Sequence, residues 1–302
     1  MNFSGNCLLG VKGNSNLAIL SAKADQSCIS KLSNKLNQAK FEYHPWMSLD
    51  RATNFGWRIP SEGHLIPCAS GLDIRGEMFN DYEIGLSRLD KSQLYDNRIV
   101  RVHDREFTPF LFAMQEILDL VQSNIIWKRR LEILVKEIIP QKGRDSSVKM
   151  RKNGAGLSSR KYRKGIFLSL PETSDISQFE LALNLAHETG HQALMTYQEF
   201  DKIIKDSHDK LIYSVVRETK RPAILSFHAM VAVMFMLDFI VTFEKRLGNM
   251  VEENYLKTRK RDLQNQLAVA LKDLRSLDLT NVGEQILREA LALSLYSVED
   301  VA

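Results

Sequence analysis

The sequence predicts a mainly α protein with a small β component, an α+β fold class. Over most of residues 107–302, apolar side chains recur at helical spacing, which predicts a series of amphipathic helices. A short apolar run at residues 165–170 has the length of a strand and is closed by Pro171. The 302 residues, 44% of them hydrophobic, can bury a substantial core. We therefore expect a mixed region at residues 1–106 packed on a mainly helical domain at 107–302, or one continuous domain.

Charge and cysteine content set the first expectations about surroundings and partners. The formal net charge is +4 and the sequence pI is about 8.8, a mild excess that does not indicate nucleic-acid binding. The three cysteines are scattered, with no zinc-ligand spacing and no disulfide framework, so we expect a reducing cytoplasm. Residues 1–13 lack a basic start followed by a long apolar core, so no signal peptide is predicted.

The N-terminal region is mixed and rich in breaker residues. We predict a short strand at residues 17–20, a helix at 27–40, an ordered aromatic loop at 41–60 and another strand at 99–102. Its three histidines are interpreted as hydrogen-bonded structural residues rather than site residues: His44, His64 and His103.

Residues 107–139 carry helical spacing and predict one long helix or two in sequence, ended by Pro140. The next stretch, residues 141–164, is basic and contains several glycines and serines, so we predict a flexible loop. A solvated surface is the favoured interpretation of its charge. The alternative is a docking surface for an acidic partner, such as an acidic peptide segment.

The most informative stretch is residues 181–196, which contain His187, Glu188 and His191 in a His-Glu-x-x-His pattern. Residues four apart lie on one face of a helix, so both imidazoles point the same way and can bind one divalent metal. Glu188 stands beside them as an acid, a base or an orienting group. Two surface histidines could share this spacing by chance, but the apolar residues around the motif favour a metal site.

A strand just before a His-Glu-x-x-His helix is how zincin-type sites are usually built. The predicted strand at residues 165–170 therefore indicates a zincin-like core of strand and motif helix. An edge strand in this position can pair with an extended peptide substrate. Residues 107–302 are then predicted to be the metal-binding catalytic domain.

Beyond the motif we predict a charged helix at residues 198–211, a link at 213–222 and an apolar helix at 222–246. Two amphipathic helices follow, at about 250–275 and 280–297. His208, in the charged helix, is expected to be exposed.

The apolar helix at residues 222–246 has nearly the length of a membrane span. It carries His228 and Asp238, however, and such groups are costly in lipid. A buried core helix that bears functional groups is the favoured interpretation, so no membrane partner is expected.

Two histidines rarely complete a catalytic metal site, so a third protein ligand is expected. Glu218 is a carboxylate candidate and His228 is a histidine candidate. His228 is preferred, because an imidazole in an apolar helix is unfavourable without a partner. A hydrogen-bonded core histidine is the alternative.

The type of metal chemistry depends on what else surrounds the metal. A zinc peptidase needs three ligands, one water and Glu188 to accept the proton of that water. An iron oxygenase needs open positions for a 2-oxo acid and dioxygen, and a cation for the far carboxylate of the acid. Arg217 and Arg221 could supply that cation, although ordinary surface arginines would have the same spacing. A peptide-binding protein without catalysis is a third hypothesis.

Residues 165–235 resemble the HEXXH-motif peptide-modification proteins of gene clusters for ribosomally synthesised peptides. The resemblance rests on these residues: His187, Glu188, His191, Tyr213, Arg217, Arg221, Pro222 and His228. Two positions depart from the family pattern, because Val216 stands where a Trp is frequent and Ala229 where a Gly is common. Neither departure removes a candidate ligand.

The resemblance implies an Fe(II) and 2-oxoglutarate-dependent dioxygenase that hydroxylates a β-carbon in a precursor peptide, a step of natural product biosynthesis. By this resemblance the iron ligands would be His187, His191 and His228. Either Arg217 or Arg221 would hold the 2-oxoglutarate carboxylate, with Tyr213 assisting, and Glu188 would support an imidazole or a bound water. The alternative cofactor is Zn(II), in a metallopeptidase that uses Glu188 as general base.

Overall fold

The structure is a computed structural model of the chain. It describes residues 57–58, 66–67, 97–99, 108–135, 137–143, 156–159, 162–169, 176–198, 202–205 and 210–299. The chain divides into two compact units. Among the described residues, those up to Glu188 form the first unit and those from Thr189 onward form the second unit. Several predictions lie outside the described residues, namely those for residues 17–20 and 27–40 and for four histidines: His44, His64, His103 and His208.

The first unit contains two helices where the sequence allowed for one or two. Helix α1 is Thr108–Gln122 and helix α2 is Ile125–Leu134. The side chain of Asn124 accepts hydrogen bonds from the backbone N–H groups of Ile126, at 3.0 Å, and Trp127, at 3.1 Å. This N-cap satisfies donors that a helix start leaves without partners, so the chain begins a new helix at this point.

A six-stranded sheet belongs to the same unit. Its strands are β1 (Trp57–Arg58), β2 (Ile66–Pro67), β3 (Asn97–Ile99), β4 (Glu137–Gly143), β5 (Gly156–Ser159) and β6 (Tyr162–Ser169). The order is β2-β1-β4-β6-β5, and β3 also pairs with β4. β6 runs parallel to β4 and antiparallel to β5.

Strand β4 corrects the prediction that the helix continues to residue 139 and ends at Pro140. Pro140 lies inside the strand. β1 pairs with β4 at Glu137 and Ile138, and β3 pairs with it only from Gln141 onward. Pro140 therefore lies between the residues of β4 that pair with β1 and those that pair with β3. Because neither β1 nor β3 pairs with it there, its missing N–H removes no backbone hydrogen bond to either of these strands.

The basic stretch at residues 141–164 was predicted to be a flexible loop, and this is wrong for its described parts. Residues 141–143, 156–159 and 162–164 belong to strands β4, β5 and β6. The predicted strand at 165–170 is confirmed as the second half of β6. It lies between β4 and β5, so the expected edge strand is β5 and not β6.

Helix α3, Ser177–Gln198, carries the His-Glu-x-x-His motif as predicted and crosses the division between the units. In the second unit, residues 202–205 do not continue the predicted charged helix. Ile204 forms a β-bridge with Leu279, and the N–H of Lys205 donates to the carbonyl of Asp278 at 2.8 Å. These non-local backbone bonds hold the segment extended.

The predicted link at residues 213–222 is a β-hairpin of β7 (Leu211–Ser214) and β8 (Thr219–Pro222). Its turn is closed by the carbonyl of Ser214, which accepts from the N–H groups of Arg217, at 3.2 Å, and Glu218, at 2.7 Å. Glu218 has a φ of 53°, the left-handed conformation that lets the chain reverse here.

Three predicted helices of the second unit are confirmed: α4 (Ala223–Leu247), α5 (Glu253–Leu274) and α6 (Asn281–Glu299). α4 packs against α5, α6 and both strands of the hairpin. It is long and apolar enough to cross a membrane by length and composition alone, but 78% of its most apolar window is buried within the fold. Asp238 lies within this buried helix, as the core-helix interpretation requires.

The described residues are therefore mainly helical with a small β component, and the predicted α+β class is confirmed at that level. The predicted boundary at residues 106 and 107 remains a prediction.

Candidate metal centre

The motif helix brings three potential metal ligands together. His187, Glu188 and His191 each offer one donor atom, and these atoms lie within 4.8 Å of one another. The i, i+4 spacing accounts for this proximity, because one helical turn separates the two imidazoles. Among the residues that the structure describes, these three form the one group of His, Cys, Asp or Glu side chains close enough together to share a metal ion.

Glu188 is the most enclosed member of this group. It is 1% exposed, whereas both histidines keep partial exposure. Its Oε1 lies 3.8 Å from Nε2 of His187. This distance is beyond a hydrogen bond, but the negative charge of a buried carboxylate there can stabilise a cation bound at the imidazole, or the carboxylate can act on a molecule bound beside it.

Strand β5 packs directly against Glu188. A Cβ atom added at Gly156 would lie 2.3 Å from Glu188 Oε1 and 2.6 Å from its Cγ. Ser158 Oγ donates to the backbone carbonyl of Glu188 at 3.4 Å. Reasoning from the sequence missed both residues. No sequence signal pointed to them, because both lie in residues 141–164, which were predicted to be a flexible loop.

His228, on helix α4, faces the second histidine of the motif. Its Nδ1 lies 3.3 Å from Nδ1 of His191, and its Nε2 lies 2.9 Å from Oε1 of Gln198. Metal–nitrogen bonds of about 2.0–2.1 Å hold two imidazole nitrogens about 3.3 Å apart in tetrahedral geometry. The spacing therefore suits a shared metal as well as an N–H···N hydrogen bond.

Gln198 was not among the predicted site residues, although a periodic signal existed. It follows His191 by seven residues on α3, which is nearly two full turns, so both lie on one helix face. Its amide oxygen can accept a hydrogen bond from Nε2–H of His228, and in that tautomer the lone pair for metal binding is on Nδ1.

The electrostatic environment of His191 favours its neutral form. Burial, then the positive charges of Arg217 and Arg221, lower the pKa of His191 from 6.5 to about 4. Neutral imidazole is the form that binds metals, so His191 is in its ligating state at neutral pH. The charges of Arg217 and Arg221, which were predicted to bind a cosubstrate, therefore lower the pKa of His191, which was predicted to bind the metal.

Two of the residues predicted to bind the cosubstrate, Tyr213 and Arg221, lie on opposite faces of the hairpin. Side chains alternate along β7, so Ile212 and Ser214 are buried while Tyr213 is exposed. Arg221 pairs directly with Ile212 and shares its buried face, whereas Tyr213 pairs with Lys220 on the exposed face. The assisting role of Tyr213 stays a prediction without support from this arrangement.

The remaining candidates occupy the turn of the hairpin. Arg217 and Glu218 are both exposed, and the alternative third ligand Glu218 is not part of the group around His187. Ser214, which the sequence did not single out, has a fully buried Oγ with no hydrogen-bond partner in the described part of the chain.

Comparison with known proteins adds no family to this picture. No family model matches the chain, and no curated protein matches it. The resemblance to the HEXXH-motif peptide-modification proteins therefore stays a prediction. The candidate site rests on the geometry of its own residues.

Proposed function

We propose that this protein is an Fe(II) and 2-oxoglutarate-dependent dioxygenase that hydroxylates a β-carbon in a ribosomally synthesised precursor peptide. The observation that carries the proposal is the action of two arginine charges, Arg217 and Arg221, on His191. A 2-oxo dicarboxylic acid needs a cation for the carboxylate that the metal does not bind.

The proposed metal ligands are His187, His191 and His228. The geometry supports them in two ways: the motif donors lie within 4.8 Å of one another, and His228 lies 3.3 Å from His191. Imidazole nitrogens suit iron as well as zinc, so the donor set fits either metal. Three protein ligands would leave positions on an iron ion open for the oxo acid and dioxygen.

The proposed site is built on a zincin-like core, in which a strand precedes the motif helix. β6 precedes α3 in the chain, and β5 lies beside Glu188. These observations support the finer fold assignment. An extended precursor peptide is the substrate that such a core would suit.

Each residue then has a defined task. The three histidines bind the metal, Gln198 fixes the orientation of His228, and the buried Glu188 places a negative charge beside His187. Arg221, on the buried face of the hairpin, binds the far carboxylate of 2-oxoglutarate, with Arg217 as the second candidate.

When bound, iron would activate dioxygen, which is the oxidant of the reaction, and 2-oxoglutarate would supply two of the electrons that dioxygen accepts. Dioxygen accepts two electrons from the oxidative decarboxylation of 2-oxoglutarate and two from the peptide C–H bond. One oxygen atom enters succinate and the other enters the new β-hydroxyl group, and CO2 leaves. The protein contributes orientation and charge, and it needs no residue to deprotonate a water.

Succinate release tests the proposal directly. Purified protein supplied with Fe(II), ascorbate, 2-oxoglutarate and dioxygen should form succinate, and should form more with its cognate peptide. The peptide should gain the mass of one oxygen atom. His191→Ala should abolish both products. Peptide fragments in place of the oxygen gain would overturn the proposal.

A zinc metallopeptidase is the second candidate, and the position of Glu188 favours it. A carboxylate that is 1% exposed and 3.8 Å from a metal-ligand imidazole could accept the proton of a zinc-bound water. This hypothesis predicts that Glu188→Gln abolishes peptide cleavage while Arg221→Ala only weakens it. The oxygenase hypothesis predicts that Arg221→Ala prevents succinate formation.

A further inference from the structure

We propose that Gly156 is a positioning residue for the metal centre, which acts through Glu188 on His187. The inference rests on the metal site of the proposed function but not on the reaction that the site performs. The absence of a side chain at residue 156 lets the Glu188 carboxylate occupy the space beside His187.

The close approach is the first step of the argument. A Cβ at residue 156 would lie 2.3 Å from Oε1, 2.6 Å from Cγ and 2.8 Å from Cδ of Glu188. These distances are far below van der Waals contact, and they involve three atoms of one side chain. No alanine can therefore stand at residue 156 while Glu188 keeps its present conformation.

Strand β5 is not free to withdraw from this contact. Gly156 pairs with Leu168 and Leu157 pairs with Phe167 in the antiparallel ladder with β6. Leu168 and Phe167 are fully buried, so movement of the strand would disturb the core of the sheet. Ser158 adds a hydrogen bond to the backbone of the motif helix.

Glu188 is therefore the group that must move when residue 156 gains a side chain. Because Glu188 is 1% exposed, it cannot swing into solvent and has to adopt another conformation within packed surroundings. Its carboxylate would then leave its position 3.8 Å from His187 Nε2. A metal-ligand imidazole that loses a carboxylate beside it binds a cation more weakly, and such neighbouring groups typically change metal affinity by about 10–100-fold.

The first test is metal affinity in Gly156→Ala. Titration of Zn(II) and Co(II) against a chromophoric chelator should give a dissociation constant raised about 10–100-fold relative to the natural sequence. The visible absorption spectrum of the Co(II)-loaded variant should change, because the coordination geometry changes. Gly248→Ala is the matched control, because a Cβ there meets backbone atoms only at ordinary distances of 3.6 Å and 3.8 Å.

A double-mutant cycle with Glu188→Ala distinguishes an effect of Gly156→Ala that acts through Glu188 from a general loss of stability. Glu188→Ala removes the side chain that the new methyl group meets, so adding Gly156→Ala to it should change neither the metal affinity nor the folding further. The comparison of Glu188→Ala with the double variant remains possible if Gly156→Ala alone does not fold. An additional loss of affinity in the double variant would overturn the proposal, since the glycine would then act through another residue.

A purely structural glycine gives a different result. Gly156→Ala would then lower the melting temperature while the metal dissociation constant and the Co(II) spectrum of the folded protein stay unchanged, and this outcome would also overturn the proposal. If the natural protein binds metal at these histidines but forms no succinate, the oxygenase assignment fails and the role of Gly156 stands.

Discussion

The motif helix and the β7–β8 hairpin carry the two halves of the proposed chemistry in opposite physical settings. Along α3, Glu188 is buried against the backbone of β5 at a point where even a methyl group does not fit. On the hairpin, Arg217 is exposed and Arg221 is half-buried. The proposed metal centre therefore includes a tightly packed side chain, whereas the proposed cosubstrate residues have side chains with room to adjust.

The largest expected effect is the change with pH in the free energy of unfolding of the metal-free protein, and it tests the surroundings of His191 on α3. The pKa of His191 is about 4 in the folded chain, against an ordinary value of 6.5, so the folded state binds fewer protons between these values. The stabilising contribution is complete above pH 6.5 and is lost as the pH falls toward 4. The loss amounts to at most about 3 kcal/mol.

This loss can be measured by urea unfolding at several pH values in the presence of a chelator. His191→Gln, which cannot titrate, should show a weaker decline of the free energy of unfolding between pH 6.5 and 4. Parallel curves for the two proteins would show that His191 is not held in its neutral form by the fold.

The next effect tests the hairpin. Arg221→Ala should weaken 2-oxoglutarate binding by about 10–100-fold, because a charge-assisted hydrogen bond contributes about 1.5–3 kcal/mol. Calorimetric titration of the metal-loaded protein measures it. Lys220→Ala is the matched control, because Lys220 precedes Arg221 on the same strand and lies on the exposed face.

A second ligand makes this test specific. 2-Oxopentanoate lacks the far carboxylate, so Arg221→Ala should leave its binding unchanged. Equal weakening for both acids would contradict a role of Arg221 in carboxylate binding. Metal affinity should not fall in Arg221→Ala, in contrast to Gly156→Ala, because the variant removes a positive charge that acts on His191.

A smaller effect compares two buried serines of the second unit. Ser226 Oγ donates to the carbonyl of Ile212 at 2.9 Å, whereas Ser214 Oγ has no such partner among the residues described. Ser226→Ala should lower the free energy of unfolding by about 1 kcal/mol, and Ser214→Ala should raise it by a similar amount. Denaturant unfolding measures both. A destabilised Ser214→Ala protein would mean that this hydroxyl has a structural partner.

The smallest effect lies at the turn of the hairpin. Glu218 has a φ of 53°, a conformation that glycine adopts without steric cost. Glu218→Gly should therefore change the free energy of unfolding by less than about 1 kcal/mol, because relief of the left-handed conformation is offset by the greater freedom of glycine in the unfolded chain, and it should leave metal affinity unchanged. Weaker metal binding in this variant would revive Glu218 as the third ligand.

The helices were the part of the fold that the sequence predicted best. The apolar spacing at 3.6 residues is a local signal, and it predicted α4, α5 and α6 to within a few residues. The strands were predicted poorly because pairing joins distant segments. Residues 137–139 continue the helical spacing and residues 141–143 were predicted to be a loop, yet residues 137–143 form one strand with partners on both sides.

The same contrast divides the candidate site. The pairing of His187 with His191 is an i, i+4 relation and could be predicted from the motif alone. The contact of His228 with His191 joins residues on two helices, and sequence reasoning proposed it through chemical need and resemblance. Gly156 and Ser158 were missed, because only strand pairing brings them to Glu188.

The sequence by itself determined the helical class, the motif helix and the residue types that can bind a metal, because these depend on periodicity and spacing along one segment. The tertiary structure alone decided which face of the hairpin Arg221 shares and which strand lies against Glu188. These contacts depend on register and on packing between segments far apart in the chain, and no local pattern encodes them.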